Sequence, residues 1–88
     1  MQIKSGFLLH TVGDEYVVVA VEERTVEFHG MIRLNESGAF LWERMQTTTT
    51  EADLAAALVA HYGVTETVAS DAVTGFVAQL TAAGVLEP

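Results

Sequence analysis

In the stretch G-M-I-R-L-N-E-S-G-A-F-L-W-E, residues 30–43, a two-residue hydrophobic period changes into a helical one within a few positions. Before Asn35, alternate residues are apolar, which predicts a strand with one buried face. Asn35 is a favourable N-cap, and Leu41, Trp42 and Met45 then recur at helical spacing. The pattern therefore predicts a strand that leads directly into a helix, with Trp42 as an anchor in the core.

Two further strands are predicted before this stretch. Residues 7–12 and 16–21 are rich in β-branched and aromatic side chains, and the turn-forming residues 13–15 separate them. A second reversal at residues 22–24 leads into a third strand at residues 26–34. We expect a three-stranded antiparallel meander whose third strand forms an edge.

Three helices are predicted to follow the sheet. They span residues 36–45, 51–62 and 66–83. Thr50 and Thr65 are placed as N-caps of the second and third helices, and Gly63 is placed to end the second. Residues 1–88 are therefore expected to form a single α+β domain. It is winged helix-turn-helix-like, with an N-terminal three-stranded antiparallel sheet followed by three helices.

The charge of the chain limits its partners. The 88 residues carry 12 acidic and four basic side chains, for a net charge of -8, and all four basic residues precede residue 45. A third helix with no Lys or Arg would repel a phosphate backbone, so we expect no nucleic-acid partner. No apolar run approaches the length of about 20 residues that spans a bilayer. Since no signal peptide is evident either, we expect a cytoplasmic protein with no membrane partner.

No pattern in the sequence indicates catalysis or metal binding. His10, His29 and His61 fall on different predicted elements, without the spacing of a metal site. The chain has no cysteine, and no serine lies in the context of a nucleophile elbow. We therefore expect no catalytic residues, no metal and no cofactor.

Two kinds of binding function remain open from the residues themselves. A winged helix could bind nucleic acid or act as a regulatory protein–protein interaction domain. Alternatively, an extended peptide could add a strand beside the predicted third strand and place its alternate side chains in a groove next to the third helix. Met31, on the polar side of the third strand, fits either a second small contact layer or a peptide surface.

Four parts of the sequence resemble the PqqD-like family. They are Y-V-V-V at residues 16–19, F-H-G-M-I-R-L-N-E-S-G-A-F-L-W at 28–42, T-E-A-D-L-A-A-A-L-V-A-H-Y-G-V at 50–64 and D-A-V-T-G-F-V-A-Q-L-T-A-A-G-V-L at 71–86. Members of the family that the chain resembles are RiPP recognition elements. They bind the leader segment of a ribosomally made precursor peptide and present its core to a modifying enzyme.

The resemblance implies a peptide site between the third strand and the third helix. The peptide-binding residues that it implies are Glu27, Phe28, His29, Gly30, Met31, Ile32 and Arg33 on the strand and Val73, Phe76, Val77 and Leu80 on the helix. The apolar sector of the helix is wide, so the sequence leaves open which of its residues face the groove and which face the core.

The resemblance also implies two partners. One is a precursor leader peptide, and the other is a modifying enzyme, either a radical SAM enzyme or, in lasso peptide pathways, a leader protease and a cyclase. The sequence does not choose among these pathways.

Overall fold

The computed structural model describes residues 1–21 and 31–87, in which three strands precede three helices. The strands are β1 (Phe7–Val12), β2 (Glu15–Ala20) and β3 (Ile32–Leu34), and the helices are α1 (Glu36–Arg44), α2 (Glu51–Tyr62) and α3 (Glu66–Ala83). The strands form one antiparallel sheet in the order β1-β2-β3. The predicted fold class, a three-stranded antiparallel sheet followed by three helices, is confirmed.

The loop of the β1–β2 hairpin is one residue shorter than predicted. Gly13 has a φ of 62° and Val12 pairs with Glu15, so only two residues form the loop. A two-residue loop with positive φ matches the right-handed twist of the strands it joins. As a result β2 begins at Glu15, one residue earlier than predicted; it ends at Ala20, which is also one residue earlier than predicted.

Within the described residues, the third strand spans Ile32–Leu34. Of the predicted range 26–34, residues 26–30 lie outside the described part of the chain, and Met31 precedes the strand. Among these residues, the ladder with β2 runs from the pairing of Ile32 with Val18 to the pairing of Leu34 with Tyr16. The alternating sequence pattern reports which face a side chain occupies, not where backbone pairing begins, so it did not locate this boundary.

The core lies between the inner face of the sheet and the three helices. From α1 and its end, Leu41, Trp42 and Met45 are 2%, 3% and 0% exposed, so Trp42 is a core residue as predicted. Met45, predicted as the last helical residue, has left helical geometry and forms the C-cap after Arg44. The other buried members of the core are Ile3, Phe7, Val18, Leu34, Leu54, Leu58, Ala69, Val73, Phe76, Leu80 and Val85.

An aromatic cluster joins α1 to the end of α2. The rings of Phe40 and His61 stack with centroids 4.5 Å apart, and Arg44 lies over the Phe40 ring at 4.6 Å. Tyr62 packs edge-on against both rings. Desolvation raises the pKa of the Tyr62 hydroxyl, and electrostatic interaction with Glu36 acts in the same direction.

Asn35 caps α1 at the junction with β3. Its Oδ1 accepts a hydrogen bond from the Gly38 backbone N–H at 2.8 Å and another from the Ser37 hydroxyl at 3.1 Å. We expect Asn35→Ala to lower the free energy of unfolding by about 0.5–2 kcal/mol, because the Gly38 N–H loses its acceptor. Urea denaturation measures this loss. Asn35→Asp keeps an acceptor and should lie close to the original protein, whereas an unchanged stability in the Ala variant would contradict the capping role.

The two ends of the described chain are joined by backbone hydrogen bonds. Ile3 and Leu86 form an isolated antiparallel bridge. The Lys4 N–H donates to the Val85 carbonyl at 2.9 Å, and the Glu87 N–H donates to the Gln2 carbonyl at 2.7 Å. The chain reaches this point because Gly84 forms the C-cap after α3, and its φ of 75° reverses the backbone.

Candidate functional site

A groove runs between the end of β3, the first turn of α1 and the middle of α3. We call it the β3–α3 groove; its volume is about 480 Å³. It is lined by Arg33, Leu34, Asn35, Ser37, Gly38, Leu41, Asp71, Ala72, Gly75, Phe76 and Gln79. Leu34, Leu41 and Phe76 are buried and form an apolar floor. The polar side chains at its margin are mostly exposed, so the groove combines an apolar floor with a polar rim.

β3 forms one wall of the groove and one edge of the sheet. Among the described strands, β3 pairs only with β2, so within residues 1–21 and 31–87 the other side of its backbone has no strand partner. Arg33 lies on this wall and makes an ion pair with Glu15 at 3.6 Å. Both side chains are well exposed, so the pair contributes little to stability. Arg33 lines the groove and also the outer face of the sheet, where it lies with Glu15 and Met31.

α3 forms the opposite wall. Asp71, Gly75 and Gln79 follow one another at four-residue spacing and therefore lie on one stripe of the helix. Ala72 and Phe76 lie one residue further around, towards the core. Gly75 occupies an interior helical position, where glycine costs about 1 kcal/mol relative to alanine.

Gly38 allows the start of α1 to approach α3 closely. A Cβ atom at this position would lie 3.1 Å from Asn35 Oδ1 and 3.3 Å from both Leu34 Cβ and Phe76 Cε1. A side chain here would press against the cap of α1 and the floor of the groove. Close packing at this point therefore explains why residue 38 is a glycine.

The structure separates the predicted strand residues of the site. Glu27, Phe28, His29 and Gly30, which the resemblance placed in the site, lie outside the described residues. Met31 is 59% exposed and lies on the outer face of the sheet beside His10, Val12, Val17 and Val19. Ile32 is half-buried and packs against the core. Of the described strand residues in the predicted set, Arg33 lines the groove.

The structure also separates the predicted helix residues. Val73 and Leu80 are 1% and 0% exposed and belong to the core, so they have no free surface in the groove. Val77 is half-buried, packs against the core and does not line the groove. Phe76 is shared, because it belongs to the core cluster and also lines the groove.

Sequence reasoning missed four residues of the helix wall. They are Asp71, Ala72, Gly75 and Gln79. The wide apolar sector of α3 predicts the face of the helix that packs in the core. The groove lies beside that face, where polar and small residues alternate. The signal that marks this stripe is a glycine in the interior of a long helix, four residues from a polar side chain on either side.

The chemistry of the groove suits binding. Among residues 1–21 and 31–87, no three His, Cys, Asp or Glu side chains are grouped so that they could hold a metal ion. None of the helices in this described part of the chain is long and apolar enough to cross a membrane. An apolar floor beside a strand at the edge of the described sheet is an arrangement that can accept an extended peptide.

Two solved structures share this architecture. The first is TbiB1 in complex with the TbiA(beta) leader peptide, with a TM-score of 0.76, 18% identity and coverage of 99% of this chain and 95% of that chain. The second is lasso peptide synthetase B1 complexed with the leader peptide, with a TM-score of 0.75, 20% identity and coverage of 99% and 96%. A comparison with curated protein sequences finds no match.

The sequence also matches a family model over most of its length. The matched family is described as coenzyme PQQ synthesis protein D, and the match covers residues 15–86. This range includes all three helices and the β2–β3 pair that carry the groove. The chain therefore belongs to the PqqD family.

Proposed function

We propose that this domain binds the leader segment of a ribosomally synthesised precursor peptide and delivers it to a modifying enzyme, without catalysing a reaction itself. The observation that carries the proposal is the position of β3 at the edge of the described sheet, beside a groove with an apolar floor. The edge offers backbone donors and acceptors, and the floor offers apolar contact. Both are needed to hold an extended peptide of defined sequence.

The geometry suggests how the peptide is bound. A peptide that adds a strand beside β3 forms backbone hydrogen bonds that do not depend on its side chains. Its alternate side chains point to the same face, so every second residue reaches the groove towards Leu34, Leu41 and Phe76. Backbone pairing supplies affinity, and the groove supplies specificity.

The comparisons support this proposal. The chain belongs to the PqqD family, and both structural neighbours are complexes with leader peptides. We further propose, from what the family resemblance implies, that the partner enzyme is either a radical SAM enzyme or a leader protease with its cyclase. We place the complex in the cytoplasm, where ribosomal precursors are made.

A winged helix that reads DNA is not favoured. α3 would be the recognition helix, but Glu66–Ala83 contains two acidic residues and no Lys or Arg. Phosphate contacts supply most of the affinity of such domains. The domain should therefore pass through a heparin column at low salt, whereas retention would favour the nucleic-acid alternative.

Proline substitutions in β3 test strand addition directly. Successive residues of an antiparallel strand direct their backbone groups to opposite neighbours, so of Ile32 and Arg33 one faces β2 and the other faces an incoming peptide. Of Ile32→Pro and Arg33→Pro, we expect one to lose much of its stability. The other should stay folded and bind leader peptide roughly 3- to 10-fold more weakly, because a hydrogen bond is lost.

Isothermal titration calorimetry measures the affinity, and a circular dichroism melt measures the stability. Ile32→Val and Arg33→Ala keep the backbone N–H and serve as matched controls for the side chains. A proline variant that stays folded with full affinity would exclude strand addition at β3.

A further inference from the structure

We propose that Gly75 selects the size of the peptide residue that the β3–α3 groove accepts. Its missing side chain leaves room against α3 for one bulky apolar side chain of the bound peptide, such as Leu, Met, Phe or Tyr. This inference rests on the proposed peptide-binding function and adds a specificity-determining residue to it.

The backbone does not require glycine at this position. The glycines with positive φ in the described chain are Gly6, Gly13, Gly63 and Gly84, while Gly75 has the backbone of a helix interior. In that conformation alanine is the more stable residue. The conformation of the chain therefore gives no reason for the glycine.

Packing within the domain does not require glycine either. A Cβ atom built on Gly75 meets no other atom within 4 Å, so the space in front of it is open. Gly38, in the same groove, differs because a Cβ atom there would lie 3.1 to 3.3 Å from three neighbouring atoms. Gly38 is thus explained by the fold, and Gly75 is explained by what enters the groove.

The surroundings of Gly75 define the chemistry of the entering side chain. The nearby floor is made by Phe76, Leu41 and Leu34, with Ala72 beside them on the helix. Asp71 and Gln79 stand one turn before and one turn after the glycine and limit the open space along the helix. The space is apolar at its base and bounded at both ends, which suits one large apolar side chain.

A peptide display library provides the probe. Random 14-residue peptides are selected separately on the original domain, on Gly75→Ala and on Gly75→Leu. We expect the original domain to enrich peptides with a bulky apolar residue at one fixed position. Gly75→Leu should enrich peptides with Gly, Ala or Ser at that position, because its side chain fills the space, and Gly75→Ala should lie between the two.

A double-mutant cycle then quantifies the contact. Truncating the bulky residue of a selected peptide to Ala should weaken binding to the original domain on the order of 10- to 100-fold. The same truncation should have clearly less effect on Gly75→Leu. Equal effects on both domains would overturn the role of Gly75.

The stability of the variants separates this role from a structural one. Gly75→Ala should raise the urea midpoint of unfolding while it weakens binding of the bulky peptide, and a structural glycine would show the opposite change in stability. Ala78→Gly is the matched control, because Ala78 is exposed on α3 and does not line the groove. It should lower the midpoint and leave binding unchanged.

The outcomes distinguish the two proposals. If the original domain enriches no peptide, or if binding of the enriched peptides is untouched by both proline variants of β3, the peptide-binding function fails. If enriched peptides bind in a β3-dependent way but show the same size preference on Gly75→Leu, the function stands and the size selection by Gly75 is wrong.

Discussion

Without this domain, a modifying enzyme acting on dilute full-length precursor should lose about two to four orders of magnitude in rate. In the proposed function, a leader held by the domain would bring the core peptide to the enzyme as an effectively intramolecular partner, which gains that much without any new contact at the active site. The gain should shrink as the precursor concentration rises, because free encounters then become frequent. Initial rates measured with and without the domain across precursor concentrations test this expectation.

A leaderless core peptide is the control for tethering. Its modification should be slow and should not respond to the domain, because nothing connects the two. The delivery role is wrong if dilute full-length precursor is modified equally fast with and without the domain.

The variants Leu80→Ala and Phe76→Ala should distinguish a residue that serves only the core from one that also lines the groove. Leu80 is fully buried, so its truncation should lower the free energy of unfolding by about 2–5 kcal/mol. That is a large part of the 5–15 kcal/mol typical of a small domain. Because Leu80 has no surface in the groove, the folded fraction of this variant should bind peptide with unchanged affinity.

Phe76→Ala should lose both stability and affinity, because the ring serves the core and the floor of the groove. Urea denaturation and calorimetry, at a temperature where each variant is folded, measure the two effects separately. Phe76→Leu keeps most of the buried volume and gives a well-folded variant for the binding comparison. If folded Leu80→Ala loses as much affinity for the peptide as Phe76→Leu, then the assignment of Phe76 to the groove and of Leu80 to the core alone is wrong.

Local chemistry explains why most of the fold could be predicted. Asn35, Thr50 and Thr65 each accept a hydrogen bond from the backbone N–H three residues later, so each helix start is encoded within one turn of sequence. The start of β2 was shifted because the loop length depends on the backbone angles at Gly13, which residue types alone do not specify.

The site could be predicted only in part, because the core and the groove share the same chemistry. Val73, Phe76 and Leu80 are all apolar and lie on one sector of α3, and only the packing of the other elements decides which of them meets a groove. Asp71 and Gln79 read as solvent-facing residues in isolation. They become rim residues once β3 and α1 stand opposite them.

The bridge between Ile3 and Leu86 has a consequence for covalent assembly. The first and last described residues lie close together at the surface of the domain. A second domain attached ahead of Met1 or behind Glu87 would therefore start from nearly the same point in space. The order of the two coding sequences would then matter little for the reach from the β3–α3 groove to a fused active site. Linker length and stiffness would govern that reach instead.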